Sequence, residues 1–586
     1  MTKKSSTAWL GAAALALVPA SALAQDPPAW IERSNEYTMR LLEMEAQFSP
    51  ESASQTGLER YDGLAMDIGP NVSERYLAAA RGVLAQFEAA HAAETDPLLK
   101  QDLQVLIDSV QQSIEGTELS DRLTLDWYDI PRTVFGVMNG LLDDQVEPAR
   151  RQTAKVLLER YTGLHPGSTP LVDHARARWQ ESLGPGKVGP YRGSVEDTLS
   201  KTDTYIAGVR ELFQRYQIEG AEEALDLMER QLRDYAEWER TTVLPAARED
   251  FRLPPELYAY RLKTVGIDLP PEELISRARR GFYETRAQMQ ALAPLVAAKF
   301  GFAATDYPSV IAELKKAKIP QERMETHYAE VLGELQQIAA RERVVSLPDY
   351  PVLMRLGTEA ENAASPAPHM RPPRLIGNTG ERGTFVLTTA VSPVPGEEPN
   401  DFNFEAAAWT LSVHEGRPGH ELQFAQMVER GVSQARVLYA FNSVNVEGWA
   451  LYAEAEMLPY EPVEGQLIAL QHRLLRAARA MLDPMLNLGL TDVETAERVL
   501  AEEARFSPSM VKQEVDRYTF RSPGQAGSYF YGYSQLIDLR TETELALGDK
   551  FDRMAFNDFV VAQGLLPVAL LREAVRQDFI PAQAAR

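Results

Sequence analysis

In Ser412-Val-His-Glu-Gly-Arg-Pro-Gly-His-Glu-Leu-Gln423, two histidines flank a Glu-Gly-Arg-Pro-Gly segment, and Glu415 directly follows the first of them. Downstream, Val446-Glu-Gly-Trp-Ala-Leu-Tyr-Ala-Glu454 carries the carboxylates Glu447 and Glu454. Two imidazoles and a carboxylate can supply three protein ligands to zinc and leave a fourth position open. A glutamate beside the first histidine is where the general base of a metal-dependent hydrolase is expected. His414 and His420 are six residues apart, however, and not the four that would put both on one helical face. Six positions rotate roughly 600°, which leaves the two rings about 120° out of alignment. A straight helix cannot hold both. Pro418 has no N–H for the carbonyl of His414, and Gly419 tolerates unusual dihedrals. The expectation is a helix interrupted by a two-residue bulge at Gly416–Gly419 that resumes at His420 in a phase bringing the rings together. By spacing alone, a metal site and a buried histidine beside a helix-breaking loop both stand as readings.

Outward from this segment the chain reads as mostly helical. After residue 404 helices are expected over 405–428 (with the bulge), 440–457, 463–486, 491–504, 508–517 and 527–547. Between about 343 and 403 prolines and glycines cluster, and Gly383-Thr-Phe-Val-Leu-Thr-Thr389 is rich in β-branched and aromatic residues. A small sheet is expected there, the only substantial β content. An exposed edge strand upstream of the histidines could take an extended peptide by strand addition; an ordinary structural hairpin fits the same residues. Towards the N-terminus, Leu98, Leu99, Leu103, Leu106 and Val110 form a near-helical stripe in a segment ending at Gly116. Further helices are expected around 145–163, 170–183 and 271–299. Leu225, Met228, Leu232, Tyr235 and Trp238 are spaced as one apolar helical face, read as core. The architecture expected is a single mainly α unit over 25–586 around a cleft, in two lobes, with the metal-site half at about 343–586.

Lys3 and Lys4, an apolar run from Ala8 to Val18, and Ala22-Leu-Ala24 have the form of a cleavable signal peptide over 1–24. The run is too short for a membrane anchor, which needs about 20 apolar residues. The 586 residues contain no cysteine, so disulfides, thiol nucleophiles, thiolate-bound metals and a lipid-modified N-terminal cysteine are excluded. The localisation expected is periplasmic or secreted, and not that of a lipoprotein. A formal net charge of −24 disfavours nucleic acid and anionic membrane surfaces as partners. No nucleophile-elbow, phosphate-loop or dinucleotide motif competes with the histidine segment.

The motifs together resemble the bacterial "domain of unknown function 885" family, which in turn looks like a distant relative of the gluzincin metallopeptidases. The matching residues are His414-Glu-Gly-Arg-Pro-Gly-His420 with Leu422-Gln423, and Val446 to Glu454. To these are added Pro523-Gly-Gln-Ala-Gly-Ser-Tyr529 with Gly532 and Leu539-Arg540, and Phe556-Asn-Asp-Phe-Val-Val-Ala-Gln-Gly564. One departure is that the family has a second histidine where this chain has Glu421.

The resemblance implies a zincin-like helical catalytic unit binding one zinc per chain through His414, His420 and Glu447. Glu454, two helical turns beyond Glu447, would orient a ligand histidine from behind or stand as a surface carboxylate. Glu415 would carry a proton from a zinc-activated water to the leaving amine. Tyr529 would stabilise the oxyanion, with Tyr531 and Tyr533 in the same run. Arg517 and Arg521 would grip a substrate carboxylate or serve as structural ion pairs, and Tyr531 would join them in binding substrate. Trp449 and Tyr452 read as packing. His91, His165, His174, His327, His369 and His472 read as incidental. The function expected is hydrolysis of short peptides by an oligopeptidase, dipeptidase or carboxypeptidase. Alternatives are a zinc amidohydrolase acting on a non-peptide or peptidoglycan-derived amide, and a non-catalytic binding protein on a degenerate zincin fold.

Overall fold

The computed structural model describes residues 28–365, 367–388 and 401–586. The signal-like segment 1–24 and Thr389 of the expected strand lie outside the described residues. The chain is mainly helical, with one small sheet, as its periodicities require.

Two cores organise the helices. In the N-terminal half, helices Ile130–Leu141, Thr153–Thr162, Arg192–Arg215 and Glu222–Trp238 bury one cluster. The stripe Leu225, Met228, Leu232 and Tyr235 points into it, with Trp238 half-buried at its edge. The C-terminal core is larger and gathers helices Pro271–Phe300, Gln321–Arg341 and Val463–Asn487 with the segments that carry the histidines. Pro271 sits at the first position of its helix, where its missing N–H costs nothing.

Two expectations need correction here. The helix containing Leu99, Leu103, Leu106 and Val110 does not stop at Gly116; it runs Pro97–Leu123. Gly116 is there for close approach, because a Cβ would lie 2.2 Å from the Tyr260 hydroxyl. Leu98 is exposed, since Asp96 caps this helix at its start and turns the first residue of the stripe to solvent.

The sheet has three strands, β1 (Leu353–Leu356), β2 (His369–Arg371) and β3 (Thr384–Leu387), in the order β1-β3-β2. β1 runs parallel to β3 and β2 antiparallel to it, with Met370 opposite Phe385. The expected strand is therefore the central one, with Phe385, Val386 and Leu387 fully buried. The edge that faces the histidine segment is β2. Among the described residues no helix is long and apolar enough to cross a membrane.

Candidate metal centre

The helix Ala407–Leu411 continues into a wide π turn, Ser412–Gly416, which carries His414 and Glu415. The chain is extended at Arg417 and turns through Pro418 and Gly419 before the next helix, His420–Glu429. The interruption expected from Pro418 and Gly419 is thus present in another form: the turn widens before Gly416, and three residues then leave the helix. A Cβ at position 419 would lie 2.1 Å from the carbonyl oxygen of His414 and 2.2 Å from that of Val413. Only glycine lets the chain pass there. Trp449 donates its indole N–H to the carbonyls of Pro418 (3.0 Å) and Gly419 (3.2 Å), fixing the break from the helix Ser443–Met457.

This path brings the two imidazoles to 4.8 Å between ring centres, nearly perpendicular. Nε2 of His414 and Nε2 of His420 lie 3.5 and 3.3 Å from Oε2 of Glu447. That oxygen is buried and accepts no hydrogen bond. With ligand distances of about 2.0–2.2 Å, atoms around a tetrahedral zinc are about 3.3–3.5 Å apart. His414, His420 and Glu447 have the donor types and spacings of such a site, with all three ligand atoms within 4.8 Å of one another. Behind them, Glu454 accepts from Nδ1 of His414 at 2.6 Å and from the Thr410 hydroxyl at 3.0 Å. It is 1% exposed, which leaves no surface role for it. Glu447 and Glu454 do share one face of their helix.

The charges are strongly coupled. Burial alone would lower the His414 pKa, but the carboxylates of Glu447 and Glu454 beside it outweigh burial and hold it up at about 9. Burial would raise Glu447, yet the two imidazoles keep it well below the usual carboxylate range. Against the same burial cost, the His414 contact holds Glu454 down to about 2. Three carboxylates packed on two imidazoles form a buried pocket that favours added positive charge.

Glu415 is nearly buried, with one oxygen 4.0 Å from Nε2 of His414 and the other accepting from the Met370 main-chain N–H of β2 at 2.9 Å. Tyr529 starts the helix Ser528–Leu547, and its ring stacks 6.3 Å from that of His414. Tyr531, about 200° further round the same helix, turns away. Its hydroxyl is taken by Asp268 and it does not join the cluster. Arg521 is drawn to Asp197 (3.3 Å) and Asp516 (3.7 Å), also away from the cluster. Arg517 is bonded to Gln525 at 3.1 Å and lies 3.6 Å from Glu514. Glu421 does not point at the imidazoles; both its oxygens are held by Arg417, at 2.5 and 3.1 Å.

Sequence reasoning missed several participants. Thr410 and the Met370 amide have no motif. Arg476 and Arg479 sit on the helix Val463–Asn487, where leucines and alanines are buried on several faces; an arginine in such a helix signals a buried cation. His472, read as incidental, accepts from Arg476 at 3.1 Å, and Arg476 lies 3.9 Å from Glu454. Its pKa is driven well below the ordinary value by burial and then by the Arg476 charge.

A mainly helical fold with a buried His-His-Glu cluster at a broken helix is the class these features define. Residues 50–575 match the family described as "Bacterial protein of unknown function (DUF885)", and the chain belongs to that family. Among solved structures, one from Colwellia psychrerythraea is similar with a TM-score of 0.75 and 18% identity, covering 94% of this chain and 99% of its own. Another, from Shewanella oneidensis, has a TM-score of 0.66 and 18% identity, covering 94% of this chain and 100% of its own. At this identity they establish the shared fold alone. No curated protein matches the sequence. Both structural relatives are described as a "putative lipoprotein", the second of unknown function. This overturns the expectation that the protein is not a lipoprotein. That expectation rested on the absence of cysteine from the sequence, and the description of both relatives runs against it.

Proposed function

We propose that this protein is a zinc-dependent hydrolase with a gluzincin-like site, acting as a peptidase on short peptides. The observation that carries the reading is the convergence of His414 Nε2 and His420 Nε2 on the unpartnered oxygen of Glu447, with Glu454 fixing His414 from behind. His414, His420 and Glu447 would hold the ion, and Glu454 would set the tautomer and orientation of the His414 ring. When bound, zinc supplies Lewis acidity, polarising a carbonyl and easing deprotonation of water.

The remaining chemistry belongs to the protein's own side chains. Glu415 takes one proton from the attacking water as the new C–O bond forms, and delivers it to the amine as the C–N bond breaks. Its hydrogen bond to the Met370 amide aims the carboxylate along the edge of β2. Tyr529, whose ring lies 6.3 Å from that of His414, would donate its hydroxyl to the carbonyl oxygen as it gains negative charge.

Elemental mass spectrometry of protein purified without chelator should find about one zinc per chain. Glu415→Gln should keep the metal and the fold while peptide hydrolysis falls at least about 100-fold. A chain that carries no zinc and takes none up on addition would remove the reading. In a mixed screen of peptides and other amides, cleavage of non-peptide amides alone would reassign the substrate and leave the site intact.

A further inference from the structure

Beside the metal cluster lies a second group of buried charge of opposite sign. Arg479 and Arg476 place their guanidinium carbons 4.5 and 5.5 Å from the Tyr529 ring centre, and both residues are more than nine-tenths buried. Arg517 joins them through Glu514, the carboxylate that Arg479 also holds. Their carboxylate neighbours are already committed. Both oxygens of Glu514 are taken by Arg479 (2.7 and 2.6 Å), and one also accepts from the Tyr518 hydroxyl at 2.8 Å. That leaves Arg517 3.6 Å from Glu514 and without a hydrogen bond to it. The oxygens of Glu454 belong to His414 and Thr410, so Arg476 stays 3.9 Å away. Among the described residues, no acceptor meets Nη1 of Arg479, Nη2 of Arg476, Nη2 of Arg517 or the Tyr529 hydroxyl.

Two buried guanidinium groups over one ring, with the part-exposed Arg517 as a third beside their one hydrogen-bonded carboxylate, are a costly arrangement unless an anion completes it. The Tyr529 ring touches both this group and His414, so the two sites are within about three residues of extended chain, at about 3.3–3.6 Å per residue. We propose that Arg476, Arg479 and Arg517 form a carboxylate subsite that takes the free C-terminus of a peptide and confines hydrolysis to the last one to three residues. This rests on the hydrolase reading above and adds the end of the substrate that is recognised.

The test compares a set of N-acetyl tripeptides with varied side chains, each as the C-terminal acid and as the amide. Binding is measured by calorimetry to the full chain carrying Glu415→Gln, with zinc and without it; cleavage is measured with the unaltered protein. The acids should bind about 10- to 100-fold more tightly than the amides. Arg517→Gln should reduce that ratio towards one, and Arg517→Lys should restore part of it, with thermal melts confirming that each variant folds. Equal binding of acid and amide, or binding of neither, would overturn the subsite. Cleavage of both forms at equal rates would overturn it while leaving the hydrolase standing. Acid-selective binding without zinc uptake or cleavage would keep the subsite and remove the hydrolase.

Discussion

Replacing Gly532 by alanine should unseat the candidate metal centre from a distance. The helices Ser443–Met457 and Ser528–Leu547 cross where Gly448 meets Gly532. A Cβ at position 532 would lie 2.0 Å from the carbonyl oxygen of Val444 and 2.8 Å from the Gly448 Cα, both backbone atoms that cannot swing aside. The helices would have to part by about an ångström or more, and forced overpacking of this kind costs about 1–3 kcal/mol. Better helix propensity returns at most about 1 kcal/mol. With the clash falling on backbone atoms, the upper part of that range applies, and the net effect should be destabilisation by about 2 kcal/mol. Glu447 lies one turn along from Val444, so the same movement should draw its carboxylate from the imidazoles and weaken zinc binding at least about tenfold. Gly82→Ala is the control. It lies within the helix Val72–Ala93 with nothing inside 4 Å of the added carbon, and should stabilise by about 0.5–1 kcal/mol. Urea denaturation and competition with a zinc-chelating dye measure both effects. A Gly532→Ala protein as stable as the original, with unchanged zinc affinity, would refute the helix crossing that seats Glu447 and Tyr529.

Other expected outcomes separate roles within the site. Glu454→Gln keeps an acceptor for His414 but removes the charge, and should weaken zinc binding about 10- to 100-fold with the fold retained; unchanged affinity would leave Glu454 without an orienting role. Trp449→Phe loses the indole bond to the Pro418 and Gly419 carbonyls and should cost about 1 kcal/mol together with some zinc affinity, read in the same two assays. Far from the histidine cluster, burial raises Glu239 to about 8, only partly offset by the Trp127 indole donating at 2.8 Å. The folded chain then keeps a proton that the unfolded chain releases near its ordinary value. This contribution is complete at low pH and is lost as pH rises towards about 8, by up to about 1.4 kcal/mol per unit. Glu239→Gln should flatten that slope in melts taken between pH 5 and 8; an unchanged slope would mean that this carboxyl is not the group responsible.

Much of the fold is legible in the sequence because its apolar stripes repeat at helical spacing. Leu225 to Tyr235 needed no tertiary knowledge to be placed in a core. Gly116 misled for a physical reason: glycine both ends helices and admits a neighbour, and only the distant Tyr260 decides between them. At the site, the six-residue histidine spacing required a broken helix, and Pro418 with Gly419 marked where it breaks. The widening of the turn at Ser412–Gly416 left no such mark, since no residue type signals a π turn. The partners of Arg476 and Arg479 come from the separate segments around Glu514 and Tyr529, and no local pattern connects them.

The distribution of charge in this region is one that packing alone does not call for. Glu447, Glu454, Arg476, Arg479 and Glu514 are withdrawn from water on three helices, and each costs several kcal/mol to desolvate. Apolar residues of similar volume would stabilise the same packing at lower cost. A scaffold freed from function would drift towards such replacements, beginning where partners are missing. Two adjoining places here lack partners of opposite kind: the Glu447 oxygen facing two imidazoles, which calls for a cation, and the Nε groups of Arg476 and Arg517, which call for an anion. A zinc ion and a peptide carboxylate would complete both at once. On this argument the doubly occupied protein should unfold at a higher temperature than either singly occupied form. A melt in which N-acetyl tripeptide acids add nothing to the zinc-loaded chain would show that the two charge groups do not serve one substrate.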